Sequence, residues 1–448
     1  MWKKGDVLVE GKTKRIFDAE ATHTDTKHSG HPVIVESKPD ITAFDDPTKT
    51  KQIEAKAAFA TSTTCRVFEL LKAAGIPVAY YQQVSPTEFL AEQCTMIPLE
   101  MVARRYAVGS YLKRHPELVC KEDEQPHRFH KLVCEFFLKT TRGELILPDG
   151  TRLVEGLKPE AGEEDPFIAN PMAMNWKLSH PKLPAWVAEA DLNMSVNPNA
   201  ILPGTLGSSK ERTHQIVDYL QRVFLVLEGA WTTLGLRLID MKIEFGIDSA
   251  GQLRVADVID NDSWRLRTHD WEELSKQAFR DGESLDEVEL KYGTVAGLVE
   301  RFRIPNQALI CWRGSLSDDI KGPSTSTIPG ITIDYVTMSG HKSTQACLIE
   351  LERIMGKYPD GGVIVVKVGR SNGLGPILAA HTTWPVIAVP ATMDSFPADA
   401  WSSIRMPSHV PLATVWPEKN AIELALNILA RTNPLVYALR QREIEDLD

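Results

Sequence analysis

The chain has 448 residues, of which 43% are hydrophobic and 25% are charged, and its formal net charge is −10. This length accommodates two or three domains with sizeable hydrophobic cores. The acidic balance argues against nucleic acid or an anionic membrane as the main partner. No apolar run approaches the ~20 residues that span a bilayer, and the first residues lack the apolar core of a signal peptide.

The cysteine pattern bears on the cellular compartment. Six cysteines are scattered along the chain without a C-x-x-C pair. This spacing favours reduced thiols over a disulfide framework or a zinc site. The sequence therefore predicts a cytoplasmic protein.

The first predicted elements are two short strands within residues 5–17, joined at Gly11. The joining segment also places Lys12, Lys14 and Arg15 within four residues. In an acidic chain, such a local basic cluster predicts a specific anionic ligand, because a polyanion would need basic charge spread over a whole face.

Strand and helix periodicities alternate in the next segment. Residues 32–38 are predicted to form a strand, and apolar residues at helical spacing predict a helix within 53–74 that stops before Gly75. Further strand-like runs cover 78–108 and 130–139.

Residues 140–205 differ from their surroundings. They hold eight of the 28 prolines and show little periodicity, apart from a small hairpin predicted in ELILPDGTRLV. We interpret this segment as a long insertion. A helix is predicted after it, from about Ser209 to Leu234.

The segment RLIDMKIEFGIDSAGQLRVADVIDNDSWRL (237–266) predicts two strands, 236–247 and 252–259, with a turn at Asp248–Gly251. Residues 271–303 are predicted to be mostly helical and to lead to a domain boundary near 304–306. Together these elements describe an α+β domain over residues 1–303.

Charged residues of this segment suggest a metal site. Alternation places Asp240, Lys242 and Glu244 on one face of the strand, and a turn centred on 250–251 would put Glu244 opposite Asp257. Like charges in that arrangement repel. A magnesium ion would remove the repulsion, since Mg²⁺ binds one or two carboxylates together with phosphate oxygens. The alternative is a solvated strand face on which Lys242 balances the acids.

The remainder of the chain alternates between strands and helices. This alternation predicts a parallel sheet covered on both faces, and therefore a three-layer α/β/α domain over residues 304–448. The predicted elements are strands at 307–312, 331–337, 362–368 and 385–389, a helix at 343–356, a glycine-rich loop after the third strand, and a final helical stretch.

Eight segments of the sequence are distinctive. The first domain contains Gly-Lys-Thr-Lys (11–14), IPLEMVARRYAVGSYLKR (97–114), DMKIEFG (240–246) and ADVIDNDSWRL (256–266), and the second contains GSLSD (314–318), SGHK (339–342), GRSNGLGP (369–376) and WSSIRMP (401–407). The four segments of the first domain resemble the SAICAR synthetases, the aspartate-adding ligases of purine biosynthesis. The four of the second resemble the aminoimidazole ribotide carboxylases, and GRSNGLGP is similar to the animal-type class that uses CO₂ directly. The order of the two domains is that of the bifunctional animal enzymes.

The ligase resemblance implies an ATP-grasp-related fold that uses ATP and Mg²⁺. The substrate carboxylate would be activated as an acyl phosphate, which the amine of L-aspartate then displaces. The basic residues Arg104, Arg105, Lys113 and Arg114 suit the phosphate dianion of the substrate. The implied site residues are Gly11, Lys12 and Lys14 at the ATP phosphates, Glu244 and Asp257 at magnesium, Lys242 near phosphate, Arg104 and Ser110 at the ribose phosphate, and Arg265 near the substrate or its succinyl part. Asp165-Pro166 also resembles an Asp-Pro pair of the family.

The carboxylase resemblance implies a second site, at the carboxyl ends of the parallel strands. The implied substrates of the whole chain are aminoimidazole ribotide, its carboxylated form, aspartate and CO₂, with no biotin, and an octamer built on the second domain. The implied residues are Ser315, Ser317 and Asp318 at phosphate and ribose, His341 and Lys342 at the carboxylation centre, and Ser371 and Gly373 at the CO₂ pocket.

The carboxylase part departs from its family in three ways. IKGPSTSTIPG, after GSLSDD, cannot form the helix of about four turns that is expected there. SGHK has glycine where the family has alanine, and PATMDSFPADA (390–400) replaces a proline-rich loop of different composition. Three interpretations stay open. The chain is a bifunctional purine enzyme, a working ligase with a weak or inactive carboxylase-like scaffold, or a specialised-metabolism ligase that acts on a related azole carboxylate.

Overall fold

The computed structural model describes residues 2–21, 30–42, 50–121, 124–202, 207–324 and 327–447. The chain divides into two compact units, Met1–Phe302 and Arg303–Asp448. Each unit has its own sheets and its own buried residues. Within the described ranges, no helix is both long and apolar enough to cross a membrane.

The first sheet of the N-terminal unit is antiparallel, with strand order β1-β2-β3-β7-β6. Glu10 pairs with Arg15 across the turn at Gly11, so the two strands predicted there are confirmed. Helix α1 (Lys56–Ala73), also as predicted, packs the ring of Phe68 against Tyr80 of this sheet. The strands are β1 (Trp2–Glu10), β2 (Lys14–Ala21), β3 (Pro32–Ser37), β6 (Tyr80–Ser85) and β7 (Glu88–Glu92), while β4 (Asp40–Thr42) and β5 (Thr50–Gln52) pair separately.

A seven-stranded antiparallel sheet forms the centre of this unit, with strand order β15-β14-β13-β10-β9-β16-β19. Helix α4 (Ser209–Thr233) packs against its middle strands and begins with a capping box between Ser208 and Glu211. The strands are β9 (Leu99–Tyr106), β10 (Arg128–Leu138), β13 (Phe167–Ile168), β14 (Trp176–Ser179), β15 (Asp191–Val196), β16 (Arg237–Ile243) and β19 (Trp264–Arg267).

The segment that we interpreted as an insertion is part of this sheet. Its strands β13, β14 and β15 extend the sheet from β10, and the buried side chains of Trp176 and Leu178 belong to the core. The hairpin predicted in ELILPDGTRLV is present as β11 (Leu145–Ile146) and β12 (Arg152–Val154). Two- to six-residue strands in a proline-rich segment carry almost no periodic signal, which is why the sequence concealed them.

The predicted pairing of Glu244 with Asp257 is wrong by one residue. Strand β16 ends at Ile243, and the chain continues as β17 (Phe245–Ile247), which pairs with β18 (Leu253–Val255) and β8 (Thr95–Met96) in a separate three-stranded sheet. In this register the carbonyl of Glu244 accepts from the N–H of Ala256 at 3.1 Å. Glu244 therefore lies at the break between two sheets.

Short helices complete the first unit. Helix α6 packs against α1, and the predicted helical character of 271–303 is confirmed in part, since α5 and α6 leave the intervening residues non-helical. The helices are α2 (Ser110–Arg114), α3 (Pro198–Ile201), α5 (Gln277–Arg280) and α6 (Leu285–Val299).

The second unit contains a five-stranded parallel sheet with order β21-β20-β22-β23-β24. One buried cluster, around Trp312 and Leu351, lies on one face of the sheet, and another, around Cys311 and Ile422, lies on the other face. The elements are β20 (Gln307–Arg313), β21 (Ile331–Thr337), β22 (Gly362–Val368), β23 (Val386–Pro390), β24 (Leu412–Thr414), α7 (Thr344–Lys357), α8 (Leu374–Ala379), α9 (Ala400–Ile404), α10 (Glu418–Ala430) and α11 (Pro434–Glu445).

As far as the structure describes the connection between β20 and β21, it contains no α-helix, although the family resemblance would place one there. Among its described residues the helical part is a single 3₁₀ turn, Leu316–Asp318. Ile320 and Ile328 then pack on the face that also carries α10. A cavity of about 910 Å³ lies between this connection, α10 and α11. The sequence prediction that no full helix forms here is confirmed.

Arg105 does not join Arg104 in one basic cluster. Neighbouring residues of a strand point to opposite faces, and Arg105 points toward α4, where its guanidinium binds both carboxylate oxygens of Glu228 at 2.7 and 2.9 Å. It also donates to the carbonyl of His130 at 2.9 Å and is 1% exposed. Arg105 is therefore a structural anchor between sheet and helix.

We expect Glu228→Gln to reduce the free energy of unfolding of the first unit by about 3–5 kcal/mol, because it leaves the Arg105 guanidinium buried without its counter-charge. Glu300→Gln is the matched control. It removes an exposed carboxylate that pairs with Arg66 at 2.8 Å, and should cost less than about 1 kcal/mol. Urea unfolding followed by tryptophan fluorescence measures both, and similar effects of the two variants would contradict the anchor role.

Candidate active sites

An arginine–carboxylate group occupies the face of the seven-stranded sheet opposite α4. Arg104 of β9 is buried and donates to Glu135 of β10 at 2.5 Å, to Asp240 of β16, and to the hydroxyl of Ser110 at 3.2 Å. Asp240 is the direct cross-strand partner of both Arg104 and Arg265. The Arg265 guanidinium donates to the same Asp240 carboxylate at 2.5 Å. The structure thus brings the predicted residues Arg104, Ser110 and Arg265 together around Asp240.

Gly109 makes this arrangement possible. It precedes α2 with φ +61°, a conformation that favours glycine. A Cβ atom at this position would lie 2.7 Å from Nη2 of Arg265. The guanidinium therefore lies directly on the backbone of Gly109, beside the hydroxyl of Ser110.

Arg114 extends the group on the other side. Its guanidinium donates to Glu135 and to the carbonyl of Pro181, and its centre lies 4.6 Å from the ring centroid of Phe167. Arg104 and Arg114 therefore share Glu135. The predicted cluster of four cations is replaced by three arginines, which alternate with two buried carboxylates.

The basic loop of the first hairpin lies near the predicted metal carboxylates Glu244 and Asp257. Lys14 forms an ion pair with Asp257, and burial lowers the pKa of Lys14 to about 8, against the raising effect of Glu244. Lys12 is exposed at the loop. A Cβ at Gly11 would make only ordinary contacts, the nearest with the carbonyl of Lys14 at 3.6 Å. Nothing within the fold therefore requires glycine at position 11.

The predicted metal carboxylate Glu244 is bound by a lysine that the sequence reasoning did not single out. Both Glu244 oxygens accept from Nζ of Lys139 at 2.8 Å. Lys242 donates to Glu100 at 2.7 Å and lies 3.9 Å from Glu244. The described residues contain no group of three or more His, Cys, Asp or Glu that could hold a metal by itself. Two carboxylates suit Mg²⁺ that is also bound by phosphate oxygens.

The partners Lys139, Glu100 and Glu135, and the contacts of Asp240, were missed because strand register decides them. Lys139 follows β10 and Glu100 lies on β9, far apart in the sequence from Glu244 and Lys242. Asp240 was placed on the correct face by strand alternation, yet its neighbour across β9 could not be known. A prediction of the β9–β16 pairing would have identified it.

Asp262 belongs to a closed ion cluster. Its carboxylate lies 3.3 Å from Nζ of Lys56 and 3.1 Å from Nζ of Lys276, and it accepts from the hydroxyl of Tyr292. Burial acts to raise the pKa of Asp262, but Lys56 and Lys276 outweigh it and hold that pKa well below its usual range. Asp262 therefore fixes α6 and α1 to the segment before β19.

Asp165 adopts a left-handed conformation, with φ +55°, between β12 and β13. Its carboxylate accepts from the N–H of Thr140 at 2.8 Å. Burial raises the pKa of Asp165 to about 6, and the neighbouring Glu100 adds to the shift. Asp165 therefore lies close to the charged group formed by Glu100, Lys242 and Lys139.

In the second unit, three of the predicted loops meet at the carboxyl edge of the sheet. A Cβ at Gly373 would lie 2.3 Å from Nε2 of His341, so the imidazole lies on that glycine. A Cβ at Gly340 would lie 2.7 Å from Cα of Leu374. The alanine of the family would not fit here without a shift of the backbone, and Gly340 lets the SGHK loop lie on the start of α8. His341 and Lys342 are exposed.

The GSLSD and WSSIRMP segments contact the GRSNGLGP loop as well. The Ser315 hydroxyl lies 2.7 Å from that of Ser317 and donates to Asp318 at 2.9 Å. The Asp318 carboxylate is 3.4 Å from the Cβ position of Gly369. Asn372 donates to the hydroxyl of Ser403 at 3.0 Å and accepts from the N–H of Gly375 at 2.8 Å, which positions the first turn of α8. The backbone N–H of Ser371 bonds the carbonyl of Gly369 at 2.5 Å.

Comparisons with known proteins agree with this arrangement of two units. A family model described as SAICAR synthetase matches residues 7–155 and 170–297, and one described as AIR carboxylase matches 323–445. Only 156–169 of the supposed insertion falls outside the first model. "Probable multifunctional protein ADE2" of Caenorhabditis elegans is 32% identical, over 96% of this chain and 92% of that protein. The "bifunctional phosphoribosylaminoimidazole carboxylase/phosphoribosylaminoimidazole succinocarboxamide synthetase" of Rattus norvegicus is also 32% identical, over 97% of this chain and 92% of that protein.

Among solved structures, the matches each cover part of this chain. The succinocarboxamide synthase of Ehrlichia chaffeensis covers 66% of this chain and 100% of its own, at 21% identity and a TM-score of 0.47. PurE of Treponema denticola covers 32% of this chain and 91% of its own, at 24% identity and a TM-score of 0.27. From the family models and the full-length relatives, the chain belongs to the SAICAR synthetase family, in its bifunctional branch with an AIR carboxylase domain.

We expect Gly109→Ala to lower kcat/KM for the ribotide substrate of the ligase reaction by roughly 10- to 100-fold, because the added methyl group displaces the Arg265 guanidinium. The KM for ATP should change less than twofold. Gly75→Ala is the control, since Gly75 also has a positive φ, +70°, but open space around its Cβ position. Steady-state kinetics of both variants measure this, and equal losses would show that backbone strain alone is responsible.

The raised pKa of Asp165 gives a test by pH. Because its pKa of about 6 exceeds the unfolded value near 3.8, the folded state binds more protons between these values, and stability falls as pH rises through that window. Asp165→Asn removes this dependence and keeps an acceptor for Thr140. The free energy of unfolding of the variant minus that of the parent protein should be about 1–2 kcal/mol larger at pH 7 than at pH 4. Denaturant titrations at both pH values measure the difference, and a constant difference would contradict the shift.

Proposed function

We propose that this chain catalyses two consecutive steps of purine biosynthesis. Its second unit carboxylates aminoimidazole ribotide with CO₂, and its first unit joins the carboxylated product to L-aspartate with ATP, which gives SAICAR. Family membership of both units supports the two activities. The functional domains are proposed as residues 1–303 and 304–448.

The observation that carries the ligase proposal is the position of two charged groups on one sheet face. Arg104 and Glu100 lie four residues apart on β9, which corresponds to about 13 Å along a strand. The arginine group surrounds Arg104, and the lysine–carboxylate group surrounds Glu100. A ribotide whose phosphate is bound by the arginines presents its other end, the carboxylate, to the lysines.

In the proposed ligase reaction, a substrate carboxylate oxygen attacks the γ-phosphorus of ATP, and ADP leaves. The amine of aspartate then attacks the acyl carbon and expels phosphate. Lys12, Lys14 and Lys242 are proposed to neutralise the charge of the transferred phosphoryl group. Arg104, Ser110 and Arg265 are proposed to hold the ribotide, so that the reacting oxygen stays in place.

Glu244 and Asp257 are proposed to hold Mg²⁺. Their chemistry fits, because both are carboxylates and both have lysines as their counter-charges. The ion supplies charge neutralisation at the ATP phosphates when it is bound.

In the proposed carboxylation, the ring carbon of aminoimidazole ribotide attacks CO₂, and a proton leaves that carbon. His341 is proposed to accept this proton, since the unprotonated ring nitrogen of a neutral imidazole is a proton acceptor. Lys342 is proposed to stabilise the new carboxylate. Ser371 and Gly373 are proposed to line the CO₂ pocket, and Ser315, Ser317 and Asp318 to contact the ribose phosphate.

A ligase with a weak or inactive carboxylase unit is the second candidate. The AIR carboxylase model begins to match only at residue 323, after the GSLSD segment, and the helix expected there is replaced by one 3₁₀ turn. A helix N-terminus provides N–H groups to a bound phosphate, so its loss weakens the phosphate end of this site.

Further properties are proposed on the same basis. The two buried clusters on opposite faces of the parallel sheet support a three-layer second unit. Family resemblance supports an ATP-grasp relation of the first unit and an octamer built on the second. Six free cysteines support a cytoplasmic location.

The test supplies aminoimidazole ribotide, bicarbonate, aspartate and Mg-ATP, and follows the products by mass. The intact chain should form SAICAR. His341→Ala should abolish carboxylation but still convert supplied carboxylated ribotide, whereas Lys14→Ala should accumulate that intermediate, with kcat/KM for ATP lowered roughly 10- to 100-fold, as expected for the loss of a charge-assisted contact. No carboxylation at saturating substrate by the intact chain would favour the second candidate, and no ligation of supplied intermediate would refute the main proposal.

A further inference from the structure

Each of the two carboxylates proposed to bind Mg²⁺ is held by its own lysine. Glu244 accepts from Lys139 with both oxygens, each at 2.8 Å. Asp257 is paired with Lys14. Lys139 thus engages both oxygens of Glu244, and Lys14 engages Oδ1 of Asp257, where a metal ion would also have to bind.

Burial makes these lysines important for the protein without nucleotide. The side chain of Glu244 is only 5% exposed, and an isolated carboxylate at that position would carry a large desolvation cost. Lys139 is 46% exposed and approaches Glu244 from the solvent side. Such a half-exposed lysine on a flexible stem can move to another anion, provided that a second cation takes its place beside the buried Glu244 carboxylate.

The charges around this site are nearly balanced, which limits what can bind. Lys14, Lys139 and Lys242 lie among Glu100, Glu244, Asp257 and Asp260, and Lys14 is electrostatically coupled to Glu244, Lys139, Lys242 and Asp260. A divalent cation alone would meet carboxylates that are already neutralised, and would be repelled by displaced lysines. A nucleotide triphosphate brings negative charge to which these lysines can move.

We propose that Lys139 and Lys14 are exchangeable counter-ions, which hold Glu244 and Asp257 before nucleotide binds and transfer to phosphate oxygens when Mg-ATP enters. This inference rests on the proposed ligase function and assigns Lys139 as a further positioning residue of that site. The exchange makes binding of the metal and of the nucleotide mutually dependent. The nucleotide draws the lysines away from the carboxylates, and the metal takes their place as counter-charge. Such coupling between two binding events is reciprocal.

The exchange predicts opposite effects of one substitution on two affinities. In Lys139→Met, Glu244 loses its competing partner, so the nucleotide-free protein should bind Mn²⁺, as a probe for Mg²⁺, roughly 5- to 10-fold more tightly than the parent chain. The same variant lacks a phosphate contact, so its affinity for the non-hydrolysable Mg²⁺ complex of an ATP analogue should fall roughly 10-fold. Mn²⁺ binding is measured by electron paramagnetic resonance, and nucleotide binding by calorimetry.

Two controls separate charge from position. Lys139→Arg keeps the ion pair with Glu244 and should leave Mn²⁺ affinity within twofold of the parent. Lys419→Met removes an 84% exposed positive charge from α10 of the second unit and should change neither affinity. A thermal scan of each variant confirms that it is folded.

The outcomes distinguish this inference from the function on which it rests. If Glu244→Gln abolishes Mn²⁺ binding and Lys139→Met strengthens it, the exchange is supported. If Glu244→Gln abolishes binding but Lys139→Met leaves it unchanged or weaker, the exchange is overturned while the metal assignment stands. If Glu244→Gln binds Mn²⁺ and Mg-nucleotide normally, the metal site of the proposed function is itself wrong, and the exchange is overturned with it.

Discussion

A buried series of alternating charges through the seven-stranded sheet determines the geometry of the first unit. Arg265, Asp240, Arg104, Glu135 and Arg114 follow one another in contact across four strands and helix α2. Buried charges of this kind are costly unless every member has its partner, so the removal of one leaves another uncompensated. The series therefore holds only in one register of β9, β10, β16 and β19, and that register brings Arg104 and Arg265 to the same carboxylate oxygen of Asp240.

The other end of the same sheet face works differently. There, the charges belong to lysines on flexible stems, with Lys242 41% and Lys139 46% exposed. Arginines in planar, bidentate contacts keep a fixed geometry, whereas lysines act as mobile point charges. In the proposed ligase site, a substrate whose phosphate is held by the first group would leave the second group free to follow charge as it moves from ATP to the acyl group. Binding energy far from the reacting atoms can thereby be used to position them.

Much of the fold could be predicted from periodicity. The helices α1 and α4 and the parallel strands β20, β22 and β23 have strong apolar patterns and were placed within a few residues. The strands β13–β15 could not be predicted, since they are short and join the sheet only through the pairing of β13 with β10, which lies well before them in the sequence. Strand β24 and helices α8 and α9 were also not predicted, because they too are short.

In the candidate sites, some residues could be predicted from motifs, whereas their partners could not. Motifs identified Arg104, Ser110, Arg265, Lys14, Glu244 and Asp257, yet their partners Glu135, Asp240 and Lys139 depend on register, which a single sequence does not contain. The error at Asp257 arose because the strand breaks at Glu244 and changes sheet, so the turn set a register in which Glu244 meets Ala256. The opposite orientations of Arg104 and Arg105, in contrast, follow from strand alternation and were available from the sequence.

In the second unit, the parallel sheet lies between the connection that departs from the family and the loop that carries His341. The connection that replaces a helix packs Ile320 and Ile328 on the face with α10, where Lys367 at the end of β22 binds Glu418 at 2.7 Å and the carbonyl of Asp319 at 2.9 Å. Glu418 in turn accepts the N–H of Lys321 at 2.7 Å, so these bonds fix the connection between β20 and β21.

The His341 loop lies with the other core. Gly340 contacts Leu374, which belongs to the cluster around Trp312 on the opposite face. Side chains of one strand alternate between the two faces, so a closely packed sheet can lose a helix on one side without disturbing contacts on the other. Loss of the helix therefore affects the phosphate end of the proposed carboxylase site, at Ser315–Asp318, more directly than the imidazole over Gly373. The order of these effects follows from which face each loop packs against.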